Sequence, residues 1–87
     1  MKKKVGIIGY GNMGQAIAER IKDKYTVSVF DKDKNKISAL TNIAAADDVV
    51  ELVKQSEVII LAVKPQDFGA LLNEIKPYLL IFFHFFE

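Results

Sequence analysis

Cysteine is absent from this 87-residue chain, which excludes disulfide bridges and thiolate metal sites. A surplus of either charge is absent too. Twelve lysines and arginines stand against eleven aspartates and glutamates, for a net charge of +1. No bulk field draws such a chain to nucleic acid or to a membrane surface, and neither is expected as a partner. No apolar run approaches the roughly 20 residues of a membrane span. The basic opening, Met1-Lys2-Lys3-Lys4, has the charge of a secretory leader, but Gly6, Gly9, Gly11, Asn12 and Gly14 break the run behind it and Glu19 and Arg20 follow. The lysines read instead as a solvated lead-in to a strand, and a cytoplasmic location is expected. Histidine occurs once, as His84, inside an apolar terminal run with only Glu87 as a nearby carboxylate. It reads as a core or edge-strand histidine. No metal-ligand cluster and no Ser/His/Asp grouping can be argued, so neither a metal nor a catalytic residue is assigned.

What is present is apolar. Hydrophobic residues make up 51% of the chain, enough for a core and too many for disorder. The length allows one domain, and a chain this short buries roughly 60–65% of its unfolded surface, so its stability is marginal. Val5–Ile8 reads as a buried strand ended by glycines. Asn12–Lys24 follows as a helix, with Met13, Ile17 and Ile21 on one face. Tyr25–Phe30 is a second strand, rich in β-formers. Asn35–Leu40 is a short helix and Ile43–Ala45 a brief third strand. Asp47 is expected to cap a helix running to Gln55, with Val49, Val50 and Val53 facing the core. Glu57–Val63 is the clearest buried strand, stopped by Pro65. Asp67–Ile75 returns to helix, with Phe68, Leu71, Leu72, Ile75 and Leu79 at spacings of three and four. The tail, Leu79–Phe86, is a candidate fifth strand. Strands alternating with helices give an α/β domain of three layers around a doubly wound parallel sheet.

Gly9-Tyr10-Gly11-Asn12-Met13-Gly14 forms a GxGxxG fingerprint between a strand and a helix, the context in which it binds the pyrophosphate of NAD or NADP. Gly9 permits the turn, Gly11 lets the backbone approach the pyrophosphate, and Gly14 lets helix and strand pack closely. Tyr10, Asn12 and Met13 are expected to contribute backbone amides, with the positive end of the helix facing the anion. Asp31 ends the second strand, where a carboxylate accepts the ribose hydroxyls of NAD. A 2′-phosphate about 4 Å away would cost about 4 kcal/mol at an effective dielectric of 20, so Asp31 favours NAD. Lys32, Lys34 and Lys36 offset part of this, although Lys36 fits a plain solvated charge. Ala62-Val63-Lys64-Pro65-Gln66 closes the strand that neighbours the first one in a doubly wound sheet, so it faces the same crevice. Pro65 biases Lys64 toward extended backbone, presenting Ala62 to Lys64 along the nicotinamide ribose. A glycine turn without ligand and a strand-ending turn with a solvated lysine are the plainer readings of these two motifs.

Two blocks, Val5-Gly-Ile-Ile-Gly-Tyr-Gly-Asn-Met-Gly-Gln-Ala-Ile17 and Val58-Ile-Ile-Leu-Ala-Val-Lys-Pro-Gln66, resemble the N-terminal domain of the pyrroline-5-carboxylate reductases. The resemblance runs from about Lys3 to Tyr78, and Ala-Val-Lys-Pro-Gln is its discriminating stretch. It implies a Rossmann domain serving hydride transfer from NAD(P)H to the C=N bond of 1-pyrroline-5-carboxylate, which gives proline. It also implies that Gly9–Gly14 bind the pyrophosphate, that residues 31–33 bind the adenosine ribose or its phosphate, and that Ala62–Pro65 border the nicotinamide side. A non-catalytic NAD(P)-binding module, or a truncated relative of the prephenate or 3-hydroxyisobutyrate dehydrogenases, is the alternative.

Three departures from the family pattern stand out. Asp31-Lys32-Asp33 replaces an Asn-Arg-Ser-like triplet suited to NADP. Asp48-Val49 stands where an asparagine commonly opens the helix before Glu51, removing a cofactor-side amide contact. Leu80–Glu87 does not continue the pattern, and the family's helical domain, which supplies the substrate pocket, is not in these residues. A truncated or frameshifted reading frame, or a fragment, is expected, with little activity of its own and an imino-acid substrate only where a second domain is supplied. Phe82, Phe83, Phe85 and Phe86 on an edge strand would favour self-association.

Overall fold

The computed structural model describes residues 2–79 and 83–85, the last three through their strand pairing alone. Five parallel strands form one sheet in the order β3-β2-β1-β4-β5. They are β1 (Lys4–Ile8), β2 (Thr26–Phe30), β3 (Ala44–Ala45), β4 (Val58–Leu61) and β5 (Phe83–Phe85). Helices α1 (Asn12–Ile21), α2 (Val49–Gln55) and α3 (Pro65–Ile75) join them, with short 3-10 turns at Lys34–Ile37 and Lys76–Tyr78. The expected doubly wound α/β architecture is the one observed.

The period of two along each strand divides the core between two faces. Val5 and Ile7 of β1 pack with Val27 and Val29 of β2 and with Ala18 of α1. Ile8 of β1 packs with Ile59 and Leu61 of β4 on the opposite face, against Leu52 and Val53 of α2 and Ile75 of α3. Gly6 belongs to that second face. A Cβ there would run into the Leu52 side chain and Ser56 Oγ, so the missing side chain lets α2 lie close on the central strand.

Several boundaries differ from the sequence expectation, each for a local reason. Helix α1 ends at Ile21 rather than Lys24, because the amides of Lys24 and Tyr25 both fold back on the Ile21 carbonyl at 3.0 Å. The Asn35–Leu40 helix is only a 3-10 turn, started by the Asp33 side chain accepting from the Asn35 amide at 3.1 Å and anchored by the buried Ile37. The cap of α2 is Asp48, not Asp47. Asp48 Oδ1 accepts the Glu51 amide at 2.8 Å, whereas the Asp47 carbonyl takes Lys34 Nζ at 2.7 Å. Helix α3 begins two residues earlier than expected, at Pro65. Lys64 is extended (φ −69°, ψ 151°), and proline suits the first helical position because its missing N–H would be unpaired there anyway.

Two side-chain placements also differ. Met13 is exposed rather than core-facing, because α1 presses its small residues, Gly14 and Ala18, onto the sheet. In α2 the fully buried residue is Leu52, which the valine spacing had left out. The expected fifth strand is present as Phe83–Phe85, paired in parallel with β4 so that His84 stands opposite Ile60. The rest of the phenylalanine-rich tail, and the self-association expected of its side chains, lie outside the described residues.

Candidate functional site

Strand order places the crossover beside the central strand. From β1 the chain runs outward through β2 and β3, then returns to β4 on the other side. A crevice opens where the connections depart in opposite directions, outside the carboxyl ends of β1 and β4. Here it has a volume of about 820 Å³, within the roughly 300–1,000 Å³ range of small-molecule sites.

Ten residues singled out in the sequence line it: Gly9, Gly11, Asn12, Met13, Asp31, Lys32, Ala62, Val63, Lys64 and Pro65. The two sequence motifs, about fifty residues apart, therefore meet in one place. Tyr10 and Gly14 do not line it. Tyr10 is buried in the core face shared by β1 and β2, and burial, with a smaller contribution from Glu19, pushes its phenol above the ordinary tyrosine range. Gly14 is buried in α1, where a Cβ would strike the Gly9 carbonyl. Lys36, Asp48 and Gln66, named from the sequence without being assigned to the site, also line the crevice, as do Phe30, Asp67, Leu71 and Glu74, which were missed. Gln66 and Asp67 follow directly from starting α3 at Pro65, since they occupy its first turn. Nothing in the spacing separated Lys36 from a solvated charge.

The glycines act in different ways. Gly9 has φ +103°, and its amide donates to the Phe30 carbonyl at 2.8 Å. A Cβ there would also meet the Ala62 backbone, with the carbonyl carbon at 2.8 Å. Gly11 is the N-cap of α1, with extended backbone, and a Cβ on it would meet nothing within 4 Å. The first intrahelical bond is Gln15 N–H to the Gly11 carbonyl at 2.9 Å. The amides of Gly11, Asn12, Met13 and Gly14 thus precede the helix's own ladder. No side chain caps this end, and no acidic residue sits in its first turn. An empty space beside Gly11 and uncommitted donors behind it are the features a pyrophosphate requires.

Asp31 ties two loops together. Its Oδ2 accepts the Tyr10 amide at 2.8 Å and its Oδ1 accepts the Asp33 amide at 2.8 Å. The Tyr10 amide, expected as a pyrophosphate donor, is therefore already engaged. Each carboxylate oxygen keeps acceptor capacity toward the crevice, since an ionised carboxylate offers about four lone-pair sites. Lys32 Nζ lies 3.8 Å from Asp67 Oδ1, a pair too exposed to contribute much. Lys34 is turned away, its ammonium on the Asp47 carbonyl and 4.5 Å from the Phe30 ring centre. Asp48 reaches the crevice wall with one oxygen spent on capping α2. Among the described residues no cluster of metal ligands occurs and no helix is long and apolar enough to cross a membrane.

Known proteins share this arrangement. A pyrroline-5-carboxylate reductase of Aquifex aeolicus is 40% identical over 80 residues, covering 86% of this chain and 30% of that protein. An imine reductase from Myxococcus stipitatus, solved in complex with NADP+, superposes with a TM-score of 0.78 at 27% identity, over 86% of this chain and 28% of the other. The Plasmodium falciparum pyrroline carboxylate reductase, solved with NADP bound, gives 0.72 at 31% identity, over 87% and 29%. The chain thus spans about three tenths of the length of these relatives. Residues 4–81 match the family described as NADP oxidoreductase, coenzyme F420-dependent. The chain belongs to that family, and it resembles the dinucleotide-binding N-terminal portion of its pyrroline-5-carboxylate reductases.

Proposed function

We propose that this chain holds NAD or NADP for reduction of the C=N bond of 1-pyrroline-5-carboxylate to proline. The observation that carries the cofactor assignment is the open space beside Gly11 at the uncapped start of α1. The reaction is carried by the Ala62–Gln66 stretch at the β4 end of the same crevice and by the relatives' names. The amides of Gly11 to Gly14 would take the pyrophosphate, and Gly9 would hold the turn. Asp31 would accept ribose hydroxyls, with Lys32 beside it. Ala62, Val63, Lys64 and Pro65 would border the nicotinamide ribose. The nicotinamide supplies the hydride when bound. The protein's part is to fix the geometry of transfer rather than to provide a strong acid or nucleophile.

Asp31 tilts the choice toward NAD, because its charge opposes a 2′-phosphate by about 4 kcal/mol at ~4 Å before screening. The substrate pocket implied by the resemblance lies outside these 87 residues, so the chain alone is expected to bind cofactor with little turnover. Calorimetric titration with NADH and NADPH tests this, alongside a proline-forming assay. Binding of both, tighter for NADH, is expected. Failure to bind either removes the cofactor assignment, a clear NADPH preference removes the tilt, and a robust proline-forming rate removes the expectation of inactivity.

A further inference from the structure

We infer that Asp31 is a positioning residue for the glycine loop, so that it governs the affinity for the pyrophosphate as well as the contact with the ribose. The inference rests on the dinucleotide reading above and deepens it. Two successive amides at the start of the loop are tied to the end of β2: Gly9 N–H to the Phe30 carbonyl and Tyr10 N–H to Asp31 Oδ2, both at 2.8 Å. The other Asp31 oxygen holds the Asp33 amide at 2.8 Å. One carboxylate thereby clamps the β1–α1 turn to the β2 turn, on the crevice wall.

The buried Tyr10 side chain and the Gly9 amide anchor the base of the turn, and the Asp31 carboxylate adds a hold on the Tyr10 amide. No side chain caps α1, and a Cβ on Gly11 would touch nothing. The side chain of Gln15 reaches only the Tyr10 carbonyl, at 3.4 Å. Without the carboxylate, the Tyr10 amide loses its acceptor and the turn samples conformations in which the Gly11–Gly14 amides no longer converge. A ligand that needs the converged form then binds more weakly in proportion to the fraction that remains.

This makes the sign of the effect informative. A carboxylate that acted on the ligand only by charge would repel phosphate, so removing it would strengthen binding of inorganic pyrophosphate and of NADPH. A carboxylate that acted only on the ribose would leave inorganic pyrophosphate unaffected. A clamp predicts weaker binding of inorganic pyrophosphate; NADPH does not discriminate, because losing the clamp and relieving the repulsion on its 2′-phosphate act in opposite directions.

The test compares the 87-residue chain with Asp31→Ala and the isosteric Asp31→Asn, titrated with NADH and inorganic pyrophosphate. The amide resonance of Tyr10 is followed by NMR, and folding is checked by circular dichroism. In Asp31→Ala, about tenfold weaker binding of pyrophosphate is expected, equivalent to about 1.4 kcal/mol, with NADH affinity falling and the Tyr10 amide shifting. Asp31→Asn keeps one acceptor oxygen and should recover part of the loss; it serves as the test if the alanine variant does not fold. Unchanged or tighter pyrophosphate binding overturns the inference. Binding of NADH by the parent chain separates that outcome from failure of the dinucleotide reading itself.

Discussion

Replacing each loop glycine by alanine in turn separates the residues that serve the fold from the one that serves the ligand. At Gly11 the backbone is extended, which alanine adopts freely, and the added Cβ meets nothing within 4 Å. Two small terms then oppose each other. Alanine restricts the unfolded chain, gaining about 0.4–1 kcal/mol, and it is a poorer N-cap than glycine by about 0.5 kcal/mol. The net change in stability is close to zero. Binding should fall steeply. A methyl group in the space for the pyrophosphate pushes the anion away from the amides behind it, and each charged hydrogen bond lost costs about 1.5–3 kcal/mol. Loss of two amounts to about 3–6 kcal/mol, or roughly 10²–10⁴-fold in dissociation constant.

Gly14 and Gly9 should behave oppositely. The Gly14 Cβ would collide with the Gly9 carbonyl group, whose carbon lies 3.0 Å away. Backbone cannot step aside as a flexible side chain can, so overpacking of about 1–3 kcal/mol applies. Gly9→Ala adds a strained φ of +103° to a clash with the Ala62 backbone and should cost more still. A chain of 87 residues has only about 4–13 kcal/mol in total at ~0.05–0.15 kcal/mol per residue, so either variant removes a large share. The assay pairs urea unfolding, followed by circular dichroism, with calorimetric titration of NADH. A Gly11→Ala variant that keeps parental affinity, or one that unfolds while Gly14→Ala stays intact, refutes the reasoning.

Leu52→Ala should cost about 2–5 kcal/mol in urea unfolding, because Leu52 is fully buried beneath β1 and the cavity cannot refill cheaply; a loss below about 1 kcal/mol would show that α2 collapses onto the sheet. The raised Tyr10 phenol is neutral in the fold and ionises more readily in the unfolded chain. Its contribution is therefore complete below the ordinary tyrosine pKa of about 10 and is lost as pH rises through the elevated folded value. Tyr10→Phe should flatten the alkaline loss of stability, measured by unfolding from about pH 9 upward, and an equally steep loss in the variant would remove Tyr10 as its cause.

The strand pattern was legible because each strand states its own burial. β4 reads Val58-Ile-Ile-Leu61, and both its faces are packed, with Ile59 and Leu61 on one and Val58 and Ile60 on the other. The glycine fingerprint was legible because steric exclusion acts on the residue itself. Gly6 was read as an interruption, since its purpose lies in Leu52 and Ser56, about fifty residues away. The Asp47/Asp48 choice turned on the helix boundary. Both residues suit an N-cap, and what separates them is the start of the helix at Val49, directly after Asp48, whose Oδ1 takes the Glu51 amide. Met13 followed the i, i+4 pattern of Ile17 and Ile21, yet the close approach at Gly14 and Ala18 left it outside, on the crevice wall. Periodicity states which side chains share a face of a helix, and tertiary contact decides how far along the helix that face is covered.

The same distinction explains why the two motifs that stood out are the starts of α1 and α3. Helix α2 satisfies its own first turn through Asp48, whereas neither α1 nor α3 has a side-chain cap. The two uncapped ends are not equivalent. The first turn of α1 has no acidic residue, so the positive end of its dipole is free to meet an anion. The first turn of α3 carries Asp67, whose charge offsets that end and is itself only partly balanced by Lys32 at 3.8 Å. A doubly charged pyrophosphate is therefore favoured at α1 and opposed at α3. That polarity runs the same way as the proposed orientation, with the pyrophosphate at Gly11–Gly14 and an uncharged ribose along Ala62–Pro65, and the part of it set by Asp67 rests on a residue outside the glycine fingerprint.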